Sequence, residues 1–230
     1  MNDKFKLTSN KKNGLYQIQA LKDFGSVRKG ELGGYIEKEE NLSVFGNAWV
    51  YGNAWVYGNA QVYGNAQVSG NARVSGNAWV YGDARVYGNA WVSGNAWVSG
   101  NARVYGDARV YGDARVFDNA WVSDDARVFD NARVFDNAWV SDDARVFDNA
   151  RVSGNAWVYG DARVYGKLKL EAGLFFGIKW KGETIQEVEI EDGNYLIYKG
   201  EAKFGVDEPD DATTQATELL KKNGYKIVKE

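Results

Sequence analysis

Apolar and polar positions recur with a period of six from Asn41 to Gly166. Each unit reads Asn/Asp, Ala, a variable residue, Val, a Tyr, Phe or Ser, and Gly/Asp, and it repeats twenty-one times without insertion or deletion. Alternation along an extended chain sends the alanine and the valine (Val44, Val50, Val56 and onward to Val164) to one side. The residue between them and the residue after valine go to the other. Each hexad therefore predicts one short strand with an apolar inner edge. The Gly-Asn, Gly-Asp, Asp-Asn and Asp-Asp pairs predict corners, because these residue types tolerate left-handed backbone angles. A single hexad cannot bury its own valine. An unbroken repeat of this kind predicts a parallel β-helix, in which neighbouring turns bury what each leaves exposed.

Residues 1–40 depart from the period and predict an N-terminal β cap, since a β-helix otherwise ends on an unpaired strand edge. Within them Gly14–Leu21 alternates apolar and polar and predicts a strand. Gly30, Gly33 and Gly34 predict a turn that leads through Tyr35 and Ile36 to the first hexad. Residues 167–230 lose the period again and predict a small α+β domain. Its strands are Leu174–Trp180, Thr184–Ile190 and Tyr195–Tyr198, with Asp192-Gly193 as a turn. Pro209 to about Asn223 predicts a helix with Asp211 as N-cap and Gly224 as its stop, before a last strand at Lys226–Val228.

Composition narrows the chemistry. Of 230 residues, 44% are hydrophobic and 26% charged, the balance of a folded chain. The net charge of −3 is spread along the sequence, so no segment is basic enough to bind duplex nucleic acid by charge. Pro209 is the sole proline, which suits a body of ladder-forming strands. There is no cysteine, so disulfides and thiolate metal sites are excluded. There is no histidine either, which removes the usual general base at neutral pH and the commonest metal ligand. No catalytic residue, metal ligand or cofactor site is expected. No apolar run has membrane-spanning length, and a cytoplasmic location is expected.

Read as Val-y-Gly-Asn-Ala-x, the unit is similar to the hexapeptide repeat of left-handed β-helix proteins. The leader resembles the phage- and prophage-associated members of that superfamily, which are labelled putative transferase or polymer-forming. Its carriers are Leu21-Lys22-Asp23-Phe24-Gly25, Gly30-Glu31-Leu32-Gly33-Gly34-Tyr35-Ile36-Glu37 and Asn41-Leu42-Ser43. The resemblance covers about residues 15–166. It implies a left-handed, mainly β fold with three hexads per coil and about seven coils over residues 41–166. Many proteins of that superfamily are acyltransferases with a catalytic histidine and a protruding loop. This repeat has neither, and the zinc carbonic anhydrases of the superfamily need three histidines. A non-enzymatic protein is therefore expected.

Three hexads per coil stack every third hexad and define three outward columns before valine. The first face carries Trp49, Gln67, Arg85, Arg103, Trp121, Trp139 and Trp157. The second carries Trp55, Arg73, Trp91, Arg109, Arg127, Arg145 and Arg163, with Tyr111, Phe129, Phe147 and Tyr165 alongside. The third carries Ser43, Gln61, Trp79, Trp97, Arg115, Arg133 and Arg151. Such ladders stabilise a prism by ring stacking and guanidinium–ring contact, and corner aspartates can neutralise the arginines. Exposed Trp, Tyr and Arg also have the composition of binding hot spots. The expected partner is a protein, either a second copy of the chain or a host protein if the chain is phage-encoded. The seam expected to carry it is Trp121, Trp139 and Trp157, with Arg109, Arg127, Arg145, Arg163, Phe129 and Phe147 on the neighbouring face. Alternatives are a counter-defence protein that blocks a host immune protein or sequesters a nucleotide signal, and a self-assembling structural protein. A calcium site of Asp124, Asp125, Asp142 and Asp143 is a further, lesser reading.

Overall fold

The computed structural model describes residues 2–177. The elements expected at Thr184–Ile190, Tyr195–Tyr198, Pro209–Asn223 and Lys226–Val228 lie outside the described residues. Within them the chain is a parallel β-solenoid, mainly β, with one short 3-10 helix at Glu39–Asn41. Each hexad supplies a two-residue strand, and residues eighteen apart pair in parallel, as in Trp121↔Trp139 and Arg109↔Arg127. Backbone hydrogen bonds join each turn to the next along the axis. The Trp49 amide donates to the Ala66 carbonyl at 3.0 Å and the Tyr51 amide to Val68 at 2.7 Å. The alternation expected from the hexad holds from Ala48 to Val158, where every repeat alanine and valine is fully buried.

The ladder starts before residue 41 and continues after residue 166. On the second face Leu32–Ile36 pairs in parallel with Trp55–Val56, which gives eight rungs against the seven coils expected. At the other end Lys169–Gly177 pairs in parallel with Arg151–Gly160, and Leu170 takes the inward place below Val152. The first hexad is out of register. Leu42, not Val44, bridges Val62 and is buried, while the Ser43 amide donates to the Val62 carbonyl at 2.9 Å. Val44 is thus no core rung and Ser43 no head of the third column. The 3-10 turn presets the chain two residues early, and the surplus is taken up in the corner before Asn47.

That widened corner is filled by Lys4. Its ammonium donates to the carbonyls of Ser43 at 2.9 Å and Ala48 at 2.8 Å and lies 4.7 Å from the Phe24 ring centroid. Burial pulls its pKa down from 10.5 to about 8, with the Lys22 charge adding to the shift. Around it the leading segment forms an antiparallel sheet of β1 (Phe5–Lys12), β2 (Leu15–Ala20) and β3 (Leu32–Ile36), which extends the second face. β2 answers the strand expected there, whereas β1 had no clear alternation to announce it. Gly33 and Gly34 do not make the expected turn but lie inside β3. A Cβ on Gly33 would sit 2.6 Å from Ile18 Cγ1 and 2.8 Å from Trp49 Cζ2, so the glycine is required by close packing.

The corners obey a backbone rule. Glycines there have φ near +59 to +74°, and a Cβ on Gly100 would lie 2.8 Å from the Asp118 nitrogen of the next turn. In two consecutive turns aspartate replaces glycine at all three corners, and Asp118, Asp124, Asp130, Asp136, Asp142 and Asp148 all keep φ of 55–58°. Left-handed geometry is uncomfortable for a residue with a Cβ. Asp136, Asp142 and Asp148 offset it by accepting the amides of Gly154, Gly160 and Gly166 at 3.0, 3.0 and 3.2 Å. Beside them run amide ladders with a direction. Asn47 donates to Asn65, which donates to Asp83. A carboxylate has no proton to pass on, so a new run begins at Asn101 and goes through Asn119 and Asn137 to Asn155. Among the described residues no helix is long and apolar enough to cross a membrane.

Candidate interaction faces

The strand pairing brings each expected column together. Trp121, Trp139 and Trp157 are consecutive on the first face. Arg109, Arg127, Arg145 and Arg163 are consecutive on the second. Phe129 and Phe147 stack beside those arginines with centroids 4.9 Å apart and planes within 2°. They continue to Tyr111 on one side and Tyr165 on the other, each at 5.0 Å. Parallel pairing at about 4.8 Å per turn leaves flat rings little other arrangement than face against face. Only ring edges, and the two end faces of a stack, are left for anything else.

On the first face the tryptophans tilt against one another. Trp121 and Trp139 meet edge to face at 5.3 Å, and Trp139 and Trp157 at 5.0 Å. Trp139 leans back one turn, and its indole N–H donates to Ser123 Oγ at 3.3 Å, which leaves that serine fully buried. The Arg103 guanidinium covers Trp121 at 4.8 Å from the ring centroid. The seam is thus partly self-satisfied. Its open part is at the end, where Trp157 is 46% exposed and the next residue in the column, Leu174, 64%. Trp49, expected outward at the other end, is fully buried beneath Phe5 and Phe24 with edge-to-face contacts at 6.3 and 5.3 Å.

The third face holds a second aromatic group. Trp79 stacks on Trp97 at 5.3 Å and Tyr63 on Tyr81 at 4.9 Å, with Arg115 over Trp97 at 4.6 Å. Burial in such stacks raises the Tyr63 and Tyr87 phenols above their ordinary value, with the neighbouring phenols of Tyr81 and Tyr105 adding to it. No comparable guanidinium–ring contact engages Arg109, Arg127 or Arg145 among the described residues. Nor does the expected neutralisation by corner aspartates occur for them. The ion pairs within 4 Å among the described residues, Lys22–Asp3 and Arg28–Asp23, both lie in the leading segment. The corner carboxylates of Asp136, Asp142 and Asp148 point along the axis to the next turn and not sideways onto the face. For the same reason no three acidic side chains converge on a metal-sized site among the described residues. Asp124 instead accepts the Ser123 hydroxyl at 2.8 Å, and Asp142 the Gly160 amide.

Sequence reasoning missed one feature of the second face. Trp91, Ser93, Arg109, Tyr111 and Arg127 surround an open groove of about 240 Å³. The signal was present as a serine directly before the first ring of a four-ring stack, but a period-six reading treats serine and tyrosine at that position alike.

A closed ladder of short parallel strands with ordered outward columns defines a β-solenoid repeat protein. The family model described as YdcK Beta solenoid repeat matches residues 66–82, 80–94, 84–100, 108–124, 126–142 and 144–160. No curated protein matches the chain.

Proposed function

We propose that this β-solenoid is a non-enzymatic interaction module that engages a protein partner through the Trp121–Trp139–Trp157 seam. The carrying observation is the end of that column, where Trp157 and Leu174 stand exposed next to rings that are otherwise packed against one another. An apolar end on a rigid aromatic ridge has the make-up of a hot spot: large rings held in place, so little side-chain freedom is lost on binding. The lack of histidine and cysteine supports a binding role over catalysis. The resemblance to phage-associated hexapeptide-repeat proteins supports a host protein as the partner, met in the host cytoplasm. A second copy of the chain is the other occupant of the same seam.

Two measurements test this reading. Light scattering over a wide concentration range reports self-association, and pull-down from host lysate reports a foreign partner, each repeated with Trp157→Glu. The expected outcome is association of one kind that Trp157→Glu abolishes. A monomer at every concentration, together with capture unchanged by Trp157→Glu, overturns the proposal.

A further inference from the structure

Ring ladders on this solenoid are broken wherever serine stands after valine, and three of the breaks are closed by a neighbour. At Ser75 the indole of Trp91 leans back one turn and donates to Oγ at 3.3 Å. At Ser123 Trp139 does the same. At Ser99 Arg115 lies over the adjacent Trp97. Ser93 is different. The residue placed to close its gap is Arg109, which follows Trp91 in the column yet makes no ring contact with it among the described residues. What remains is the groove lined by Trp91, Ser93, Arg109, Tyr111 and Arg127.

The dimensions of this gap suit one aromatic ring. Turns stack at about 4.8 Å, so the turns of Ser75 and Tyr111 are roughly 9–10 Å apart, with Trp91 leaning into the first of them. Tyr111 is backed by Phe129 at 5.0 Å and 2°, so the ring is held flat and presents its other face toward Ser93. Two guanidiniums border that face, and neither Arg109 nor Arg127 has a carboxylate within 4 Å among the described residues. Asp107, two residues before Arg109, accepts the Asn89 amide at 3.1 Å, and Asp125, two residues before Arg127, makes no ion pair within 4 Å among the described residues. An anionic group on the ligand would supply the missing counter-charge, and guanidinium binds such oxygens in a forked geometry.

The geometry points to a binding site for a small planar aromatic anion, its ring seated above Ser93 on the open face of Tyr111 and its acidic group held by Arg109 and Arg127. Ring and charge act together here. The ring completes a stack that the protein already builds from Tyr111 to Tyr165, and the anion meets arginines without a carboxylate partner among the described residues. This site is on the second face and is independent of the first-face seam.

The probe is 1-naphthyl phosphate, titrated into the full chain by calorimetry, with 1-naphthol and inorganic phosphate as its separated halves. The expected result is binding below about 1 mM, with each half at least about tenfold weaker. Ser93→Tyr fills the gap with the side chain that Tyr57 and Tyr111 carry in the same column, so the fold is kept. It is expected to weaken binding at least about tenfold with the circular dichroism spectrum unchanged, while Ser69→Tyr on the first face leaves binding as it was. Arg127→Gln is expected to weaken naphthyl phosphate while leaving 1-naphthol unaffected. Full binding by Ser93→Tyr, equal binding of 1-naphthol and its phosphate, or no binding at all each overturns the inference.

Discussion

Asn47–Gly52 and Asn155–Gly160 are the same six residues, Asn-Ala-Trp-Val-Tyr-Gly, set near opposite ends of one column. Both make the strand, both bury their alanine and valine, and both turn on a left-handed glycine. Their tryptophans nevertheless have opposite fates. Trp49 is fully buried under Phe5 and Phe24, with its indole N–H left without a partner, and Trp157 is nearly half exposed. Identical local sequence fixes the rung. What lies across the rung decides whether its outward residue is core or surface.

The comparison can be broken most sharply at the tryptophans themselves. Trp49→Ala is expected to cost about 3–5 kcal/mol, since it opens a cavity beneath the cap. Trp157→Ala removes little more than one edge-to-face contact, about 1 kcal/mol. Urea unfolding with amide exchange at Val50 and Val158 reads both, and equal losses would show that the two ends are not distinct.

Corners give a smaller difference. At Gly52 a Cβ would meet nothing closer than 3.7 Å, whereas at Gly100 it would meet the next backbone at 2.8 Å. Gly52→Ala should therefore cost only the left-handed strain, about 1–2 kcal/mol, and Gly100→Ala more. Gly94 lies over another glycine, with a Cβ 2.9 Å from the Gly112 nitrogen, so Gly94→Asp should cost less than Gly94→Ala although it is larger, because its carboxylate can accept the Gly112 amide as Asp136 accepts that of Gly154. Melting temperatures of the four variants check this order, and alanine outperforming aspartate at Gly94 would remove the account of the Asp corners.

A pH-dependent effect is confined to the capped end. Lys4 titrates near 8 in the folded protein and near 10.5 unfolded, so between those values the unfolded chain binds more protons. Stability must then rise with pH across that window, as the charge that burial penalises is lost. Measured against Lys4→Met, which does not titrate there, the wild type should gain from pH 8 to 10.5. A difference that stays flat would mean that Lys4 keeps its ordinary pKa.

Much of the fold was legible because the hexad is redundant. Ala, Val and the corner pair repeat, and any one rung predicts the next. The columns were legible too, since pairing at eighteen residues follows once three hexads close a turn. Three things were not. The slip at Leu42 depends on the 3-10 turn at Glu39–Asn41, a local event outside the period. Gly33 and Gly34 looked like turn residues, because sequence cannot tell a glycine needed for backbone freedom from one needed for space. The aspartates looked like counter-ions for the arginines, because spacing along the chain says nothing of whether a short side chain points along the axis or across it.

By itself the sequence determined the strand, the corner, the inward valine and the order of residues in every column, since these follow from alternation and a fixed period. Only the tertiary structure decided which outward residues are covered, leaned upon or left open. It buried Trp49, closed the gap at Ser75 and left the one beside Ser93 open. Those outcomes depend on contacts between turns and with the leading segment, where residues far apart in sequence compete for the same space.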